Sequence, residues 1–580
     1  MRKILSLLCL TLLSCTAIAI PAKREWRSVT QPDGSQLNVM LVGDENYHYY
    51  TTSDGAVLLQ ENGAYYYACE QEDGYLGCTD MLAHEADRRS EAEVQLLADM
   101  PTTDRTAVLR KKVPQRTQPG HVGTPTGVFE GSKKGIIILV SFDDLDFAVE
   151  NPRETFEQMV NQPGYTNSLG AIGSVHDYFY DMSGGRFDLT FDVVGPYKAP
   201  QGYAYYGKNN GNRTDVSVTT LIKWAMKAAD EDVNYTDYDW DADGYVDQVF
   251  ILYAGYGEAQ GAPAETIWPH ESQLRYSFNE VQCDNVWLNT YACGQELAGS
   301  EGQELAGIGT ICHEFTHCLG LPDFYDTDGN SGATDTGYGM SSYDLMCSGS
   351  YNGNSWKPAA YTGYERNFCG WLDYDELTDP CRVTDQAPIE DGGNVFVVYN
   401  PATENEYYLF EHRNRMSGWD QGLGGNGLLI YHVNYMPRRW RDNTVNNKSA
   451  GVPGMEVVAA DNSYISYLPG DVIKDLWPSV VGIKTVNEFS DETTPACVLY
   501  NDNTDGTNLL HIKLSRIKYN NRNRTVSFTF NDGTAPYGNG IADLSVTPVV
   551  DDGAVYSLSG QRVADSYRGL VIANGRKVIR

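Results

Sequence analysis

The sequence predicts an α+β protein with several domains. Its 580 residues are too many for one ordinary domain. In the middle of the chain, continuous apolar runs such as Ile136 to Val140 predict buried strands, and amphipathic helices are predicted between them. From residue 376 to 531, short apolar runs such as NVFVVY, GLLIYHV and TVSFTF are separated by Gly, Asn and Asp clusters. That pattern is typical of an antiparallel, sandwich-like β-domain.

The middle region, residues 121–375, shows the periodicities of a mixed domain. Strands are predicted over KKGIIILVSF, over RFDLTFDVV, where apolar residues alternate, and over VDQVFILYAGYG. Helices are predicted over SVHDYFYDM, VTTLIKWAMKAAD and PAAYTGYERNFCGW. We therefore expect one domain of interleaved strands and helices in this region.

Residues 1–19 predict an export signal that is removed. A positive start, an apolar run and the small-residue pattern from Ala17 to Ala19 form a typical cleavage signal. Cys15 offers the alternative of a lipoprotein site. The apolar run is too short to span a bilayer, and no transmembrane segment is expected elsewhere. The sequence thus predicts an exported protein, secreted or held at the cell surface.

Residues 20–120 are predicted to form a prosegment. Strand-like patches such as LNVMLV come first, and a helical stretch, EADRRSEAEVQLLADM, follows. The segment ends in VLRKKVPQRTQPGHVGTPTG, a linker rich in basic residues, Pro, Gly and Thr. Exposed basic linkers are easily cleaved by proteases, so the folded module that precedes this linker is predicted to be removable. The alternative is an ordinary interdomain linker.

Residues 532–580 are predicted to be a linker followed by a small strand-rich tail. The strands YSLSGQRV and GLVIANGRKV resemble the sorting domains that direct cargo through the type IX secretion system. The resemblance implies the secretion machinery as a partner. A plain β-ribbon cap is the alternative.

Charge and cysteine content limit the partners and the cellular compartment that can be expected for the protein. The chain has 43 Lys and Arg against 77 Asp and Glu, a net charge of -34. Such a surface repels phosphate backbones, which argues against nucleic acid as a partner. Twelve cysteines occur, two of them in the predicted signal, and the other ten make disulfides plausible in an exported chain. Cys69 with Cys78, and Cys283 with Cys293, are close enough in sequence to join hairpins.

The most specific motif is CHEFTHCLGLPDFYD, from Cys312 to Asp326. Residues four apart on a helix share a face, so His313 and His317 can bind one Zn2+ together. Glu314 stands beside the first histidine, where it can take a proton from the attacking water and pass it to a leaving amine. Because the opposite face of the helix is apolar, the histidines are not needed for packing.

A third zinc ligand is expected just beyond the helix. Gly320 can take the left-handed conformation that ends a helix, and Pro322 prevents the helix from resuming. The chain can then double back and bring the Asp323 carboxylate to the metal. In the alternative, Asp323 caps a turn or orients a ligand, and Glu365 on a later helix completes the site.

The motif HEFTHCLGLPDFYD resembles the active-site signature of the immune inhibitor A family of secreted metallopeptidases, which is similar to metzincins. SVHDYFYDMSGGRFDLTFDVVGPY, DWDADGYVDQVFILYAGYG, TIWPHESQL and YDLMCSGSY follow in family order, and YYLFEHRNRMSGWDQGLGGNGLLIYHV resembles the family's later β-region. The resemblance covers roughly residues 130 to 435. It implies a metzincin-like catalytic domain and an exported zinc endopeptidase, made as a latent precursor, that cleaves proteins or peptides.

The resemblance also assigns roles around the metal. Asp323 stands where metzincins usually have a third histidine. Met346 would lie in the methionine turn beneath the zinc ligands, with Met340 as the competing candidate and a plain core methionine as the alternative for either. His270, in TIWPHES, is expected to be structural.

The loop DWDADGYVD predicts a calcium site. Alternate acidic side chains in a loop can converge on one Ca2+, and Gly244 permits the sharp turn. Phe250 stands where an EF-hand has its last glutamate, so the loop is not an EF-hand. The alternative is a solvated acidic turn. The candidate ligands are Asp239, Asp241, Asp243 and Asp247.

Two other functions compete with a zinc endopeptidase. One is a calcium-stabilised surface adhesin whose β-domain binds protein or glycan, and the other is a degenerate peptidase kept as a binding module. Neither needs an intact motif, whereas His313, Glu314, His317 and Gly320 are all present here. The complete motif therefore favours the enzyme.

Overall fold

The structure, a computed structural model, describes residues 20–537 except 46–47, 71–75, 101–128, 210–213, 278–279, 328–338, 417, 448–450 and 464–471, and also 555–556, 570–573 and 576–579. The predicted signal with Cys15 and the predicted basic linker lie outside the described residues. Met1–Ala535 and Pro536–Arg580 form two separate units. The first unit contains the predicted prosegment, catalytic and β-rich regions.

The predicted prosegment folds as a six-stranded antiparallel sheet in chain order, followed by one α-helix. Alternation in QLNVMLVG buries Leu37 and Val39 against Tyr67 on a neighbouring strand. The helix begins at a capping box between Ser90 and Glu93. The predicted strands and helix are confirmed, with bounds β1 Arg27–Thr30, β2 Gln36–Gly43, β3 His48–Thr51, β4 Val57–Glu61, β5 Ala64–Glu70, β6 Leu76–Leu82 and α1 Glu91–Asp99.

The catalytic region contains a five-stranded sheet of order β10-β13-β9-β7-β8, parallel except for β10. Its strands are β7 Gly131–Ser141, β8 Phe187–Lys198, β9 Val249–Tyr256, β10 His270–Gln273 and β13 Thr290–Leu297, and β11 Val281–Cys283 and β12 Val286–Leu288 form a separate hairpin. The helices are α2 Pro152–Asn161, α3 Val175–Met182, α4 Tyr203–Gly207, α5 Val218–Ala228, α6 Gly309–Cys318 and α7 Gly363–Phe368.

The central strand β7 shows why its sequence is continuously apolar. Ile137 and Leu139 face one core, which includes side chains of α2, α3 and α6. Ile136 and Ile138 face a second core, built largely with α5. Helices therefore cover both faces of the sheet, as is usual for parallel strands. The motif helix α6 lies on the side of Ile137.

The β-rich region has two sheets, of order β14-β16-β17-β18-β19 and β15-β24-β23-β22. Its pairs are antiparallel as predicted, except that β14 runs parallel to β16. Leu409 and Tyr431 of this region belong to the same hydrophobic core as α6. The bounds are β14 Asp375–Glu376, β15 Cys381–Gln386, β16 Phe396–Asn400, β17 Thr403–Asn414, β18 Asn426–Asn434, α8 Pro437–Arg441, β19 Met455–Val457, β20 Ser479–Val481, β21 Lys484–Val486, β22 Phe489–Ser490, β23 Lys513–Asn520 and β24 Thr525–Phe530.

The second unit contains a three-stranded antiparallel sheet, in agreement with the predicted strand-rich tail. Its strands are β25 Val555–Tyr556, β26 Leu570–Ala573 and β27 Arg576–Ile579. Over the described residues, none of the helices has the length and apolar character needed to span a membrane.

The two suggested disulfides are not formed. Cys78, Cys283 and Cys293 are free thiols. Cys283 lies in the β11–β12 hairpin, whereas Cys293 lies in the central sheet, with its Sγ 3.4 Å from Nδ1 of His270. Proximity in sequence was therefore a poor guide, because the two cysteines belong to different sheets.

Candidate metal centre and active site

Helix α6 presents two buried imidazoles on one face. Nδ1 of His313 donates to the carbonyl of Leu345, and Nδ1 of His317 donates to the carbonyl of Leu321, both at 2.8 Å. Because a carbonyl only accepts, each Nδ1 carries a proton. With this tautomer, the nitrogen left to bind a metal ion is Nε2.

The turn after α6 brings the next polar group to these nitrogens. Gly320 has φ +96°, a conformation that favours glycine, and its N–H closes the helix on the carbonyl of His317 at 2.9 Å. The reversal also places the Leu321 carbonyl on Nδ1 of His317. The early end of the helix thus orients the second histidine as well as redirecting the chain.

Asp323 completes a group of three converging acceptors. Its Oδ1 lies 3.2 Å from Nε2 of His313 and 3.3 Å from Nε2 of His317. Three ligand atoms placed about 2.0–2.2 Å from one ion in tetrahedral geometry would stand roughly 3.3 Å apart. The two imidazoles and the Glu314 carboxylate also lie within 4.8 Å of one another. The spacing of the Asp323 oxygen and the two nitrogens matches the donor set of a zinc site.

These three acceptor atoms are buried, and no donor reaches them among the described residues. An unsatisfied buried polar group costs roughly 1–3 kcal/mol, so three facing one another would be strongly unfavourable. Burial lowers the pKa of His317, which disfavours a second proton on its ring as the way to satisfy these atoms. A divalent cation satisfies all three, and nitrogen with carboxylate oxygen is a donor set that Zn2+ accepts.

Asn443, just after α8, holds the Asp323 carboxylate in place. Its Nδ2 donates to Oδ2 of Asp323 at 2.5 Å, and its Oδ1 accepts the Asp323 N–H at 2.6 Å. Asn443 has φ +51°, which asparagine tolerates better than most residues. Only Oδ1 of Asp323 is left to face the histidines. No sequence pattern points to Asn443, because it lies 120 positions from Asp323 and belongs to no motif.

Glu314 lies beside the two histidines and is also fully buried. Its Oε1 accepts the backbone N–H of Ile20 at 2.9 Å, whereas no donor from the described part of the chain reaches Oε2. Burial raises the pKa of Glu314 well above that of an ordinary carboxyl, and the nearby Asp323 adds to the effect. The group is suited to accept and return a proton.

The other predicted residues fall into place around this centre. Met346 follows Leu345, the residue whose carbonyl holds His313, and its own N–H donates to Oδ1 of Asp344 at 2.7 Å. Met340 is also buried, and its N–H donates to the carbonyl of Phe324. Glu365, the alternative third ligand, instead accepts the N–H of Thr362 at the start of α7.

His270 uses both ring nitrogens on groups of its own neighbourhood. Nδ1 contacts the Trp268 carbonyl at 2.7 Å, and Nε2 contacts the Tyr291 hydroxyl at 3.0 Å. Buried with both nitrogens engaged, it fits the structural role that was expected.

The acidic loop brings three of its four aspartates together. Asp239, Asp241 and Asp247 lie within 4.8 Å of one another. Asp243 is outside this group, and its Oδ1 accepts the N–H of Tyr245 at 2.8 Å. Gly244 has φ +89°, as the sharp turn requires. Burial and repulsion from the other aspartates raise the pKa of Asp247 to about 7, so a cation here would relieve charge repulsion.

Comparison with known proteins agrees with this geometry. Residues 138–371 match the catalytic domain of immune inhibitor A peptidase M6. The match confirms the family resemblance that the motif predicted for this region. The matched part includes α6, Asp323, the segment around Met346 and α7, which are the parts of the site described above other than Ile20 and Asn443.

Individual relatives are distant and longer. The pre-pro-metalloprotease PrtV of Vibrio cholerae serotype O1, from two strains, is 28% identical over 258 residues, covering 39% of this chain and 28% of its own length. Immune inhibitor A of Bacillus thuringiensis subsp. alesti is 24% identical over 257 residues, covering 38% of this chain and 36% of its own length. The chain thus spans about a third or less of the curated relatives it matches.

The role of Asn443 leads to a first prediction. Asn443→Asp should place a second carboxylate against Asp323 and remove the N–H that restrains it. Loss of such a supporting contact typically lowers metal affinity by about 10–100-fold. Zinc affinity of the full-length chain, measured by competition with a chelator, checks this.

Asn447→Asp is the matched control. Oδ1 of Asn447 accepts hydrogen bonds from the N–H and the hydroxyl of Thr327, whereas Asn443 bonds to the Asp323 carboxylate. Equal zinc affinity in the two variants would contradict the role given to Asn443.

Proposed function

We propose that this protein is an exported zinc-dependent endopeptidase made as a latent precursor. The observation that carries the proposal is the convergence of His313, His317 and Asp323 beside the carboxylate of Glu314. Protein or peptide substrates follow from this chemistry. A binding protein with a degenerate peptidase domain is less well supported, because every residue of the motif is present and correctly oriented.

His313, His317 and Asp323 would hold the zinc, and Glu314 would handle the protons. Bound zinc supplies a Lewis acid that polarises the scissile carbonyl and acidifies water. Glu314 takes the proton of the attacking water and later delivers it to the leaving amine. A buried carboxylate with a raised pKa suits both steps, since it binds the proton firmly enough to carry it.

The first described residues support the proposal of latency. The N–H of Ile20 donates to Glu314, at the position that a leaving amine would take. The carbonyl of Ile20 accepts from Nε1 of Trp268 at 3.0 Å, and the carbonyl of Pro21 accepts from the Tyr351 hydroxyl at 2.7 Å. The Ile20 side chain is buried with Trp268 and Ala259. With this segment in place, Oε1 of Glu314 is occupied, and we expect a substrate to be kept from it.

Two side chains of the prosegment anchor it to the catalytic region. Arg27 donates to the carbonyls of Gln260 and Gly261 and to Ser300. Nε2 of His48 lies 2.9 Å from Oε1 of Glu258, and its ring stacks on Trp268. Since these contacts do not depend on the linker, a cut in the linker alone leaves the prosegment bound.

The acidic loop is proposed to bind Ca2+ through Asp239, Asp241 and Asp247, with Asp243 shaping the turn. The site precedes β9 of the central sheet, so a bound ion would fix the entry to that strand. Export by a cleaved signal, and sorting of the tail by secretion machinery, complete the proposal.

Glu314→Gln tests the assignment of the base. The amide cannot accept a proton from water, so peptide hydrolysis should fall about 10²–10⁴-fold. Zinc content should stay near that of wild type, because the three ligands remain. Both are measured on prosegment-free protein, and Asp323→Ala should by contrast lose zinc together with activity. Normal turnover by Glu314→Gln would refute the assignment.

Latency predicts a two-step activation. A cut between Arg110 and Arg116 should leave activity low while the prosegment stays bound, and activity should rise at least tenfold once the prosegment is separated. Arg27→Ala should shorten the delay because it removes three anchoring hydrogen bonds. Hydrolysis of a quenched peptide, followed in time after the cut, gives the rates.

Arg88→Ala serves as the control for this experiment, since Arg88 is an exposed basic residue of the same prosegment. Full activity of the uncut chain would contradict latency, whatever the behaviour of the variants.

Calcium should raise the melting temperature of chelator-treated protein. An ion that binds only the folded chain stabilises it by about 2.7 kcal/mol at 100 times its dissociation constant. Asp241→Asn should reduce the shift, whereas Asp237→Asn, on the preceding turn, should leave it intact. An unchanged melting temperature on adding Ca2+ would contradict the proposed calcium site.

A further inference from the structure

A second group of buried carboxyls lies behind the metal centre. Asp344 and Glu365 are both fully buried, and the Asp344 carboxyl contacts that of Glu365. One oxygen of each is satisfied, since Oδ1 of Asp344 accepts the Met346 N–H at 2.7 Å and Oε2 of Glu365 accepts the Thr362 N–H at 2.6 Å. Within the described chain, Oδ2 of Asp344 and Oε1 of Glu365 have no donor.

The guanidinium of the neighbouring Arg413 donates no hydrogen bond to these two oxygens. Arg413 has five N–H groups, and all five are used elsewhere. Two donate to Asp420, one to Glu411, and two to the backbone carbonyls of Tyr343 and Ala360. Two acceptor oxygens of contacting carboxyls, which no donor of the described chain reaches, are balanced if one of the two carboxyls carries a proton.

We propose that Asp344 and Glu365 share one proton as a carboxyl–carboxylate pair, and that this pair positions the Leu345 carbonyl that holds His313. Asp344 immediately precedes Leu345, and its side chain fixes the N–H of Met346 on the other side. Both carboxyls are positioning residues, because they act through the chain segment that contacts the histidine. The inference rests on the proposed function only in taking His313 as a zinc ligand.

The surroundings support a proton held at neutral pH. Burial raises the pKa of Asp344 to about 7, and burial with repulsion from Asp344 raises the pKa of Glu365 further. The charged groups facing the pair are Arg413 and Glu411. The other titratable groups around it keep their protons, since burial raises the pKa of the hydroxyls and thiols of Tyr178, Tyr361, Tyr364, Cys347 and Cys369.

The pair makes stability depend on pH in a stated direction. Unfolded, both carboxyls lose their protons near pH 4, whereas the folded chain keeps one to about pH 7 or above. The folded state therefore holds one proton more over that window, and its contribution to stability falls as pH rises. Once the shared proton leaves, the two carboxylates repel each other behind the Leu345 carbonyl.

Two single amide substitutions and their combination test the sharing. In Glu365→Gln, the amide NH2 of the new side chain donates to Asp344 in place of the shared proton. In Asp344→Asn, the new amide NH2 donates to Glu365 instead. Each single variant should fold, and each should be less pH-dependent than wild type. The ratio of wild-type to variant unfolding constants should rise about tenfold per pH unit between about pH 5 and 7. The double variant places two NH2 groups face to face and should be less stable than either single variant.

The matched control is Glu406→Gln. Glu406 is an equally buried carboxylate, but hydrogen bonds from His432 and from the Tyr500 N–H outweigh the effect of burial and lower its pKa to about 2, so it is ionised throughout the range from pH 5 to 7. This variant should lose stability without changing the pH dependence over that range. Parallel pH profiles for wild type and both single amide variants, or a double variant that shows only the sum of the single effects, would overturn the proposal.

Infrared spectroscopy reads the proton directly and needs neither zinc nor activity. Wild type at pH 7 should show the carbonyl stretch of a protonated carboxylic acid, and the band should vanish at alkaline pH. The difference between the wild-type and Glu365→Gln spectra separates this band from those of other buried carboxyls whose pKa burial also raises, among them Glu314, Asp215 and Glu390. A wild-type spectrum without the band overturns the proposal even if the amide variants fail to fold.

The link to His313 has its own readout. Wild-type zinc affinity, measured by chelator competition, should fall relative to that of Glu365→Gln on going from pH 7 to pH 9, by several-fold. Equal affinities at both pH values would show that the pair does not position His313. If no variant binds zinc at all, the proposed function fails, while the unfolding and infrared results still decide the proton pair.

Discussion

Three unprotonated acceptors held face to face in a dry interior are the constraint on which the rest of the site depends. Nε2 of His313, Nε2 of His317 and Oδ1 of Asp323 converge where no protein donor reaches them among the described residues. A cation bound between them would satisfy all three acceptors at once. The backbone carbonyls that accept from both Nδ1 atoms fix the tautomer, so that in a neutral ring the lone pair lies on Nε2.

The support comes from segments that are far apart in the chain. The Leu321 carbonyl follows the helix directly, the Leu345 carbonyl comes from the segment with Met346, and Asn443 comes from the β-rich region. This explains why the β-rich region shares a hydrophobic core with α6. A ligand set with little tolerance for displacement needs rigid packing on every side. If the proposed zinc site is correct, the β-rich region supports it through Asn443 and the shared core.

Local signals in the sequence predicted the parts that depend on neighbours in the chain. Helix spacing placed His313 and His317 together, and Gly320 with Pro322 predicted the turn that brings Asp323 back. Alternation and apolar runs predicted the strands of the prosegment and of the central sheet. Helix α7 is shorter than predicted, because Thr362 caps its start and Gly370, at φ +75°, follows its end.

What the sequence did not predict depends on contacts between distant segments. Asn443 and the Ile20–Glu314 contact join positions 120 and 294 residues apart, and no periodicity carries such information. The suggested Cys283–Cys293 disulfide failed for the same reason, since the two thiols lie in different sheets. The proton shared by Asp344 and Glu365 could not be inferred before their burial and the saturation of Arg413 were known.

The proposed zinc site consists of two imidazole nitrogens and the Asp323 carboxylate. X-ray absorption at the zinc edge, on the zinc-loaded full-length chain and on Asp323→Asn, probes these ligands directly. We expect a shell of nitrogen and oxygen at about 2.0–2.2 Å with two imidazoles, altered in the variant. A sulfur ligand from Cys312 or Cys318, or an unchanged shell in Asp323→Asn, would contradict it.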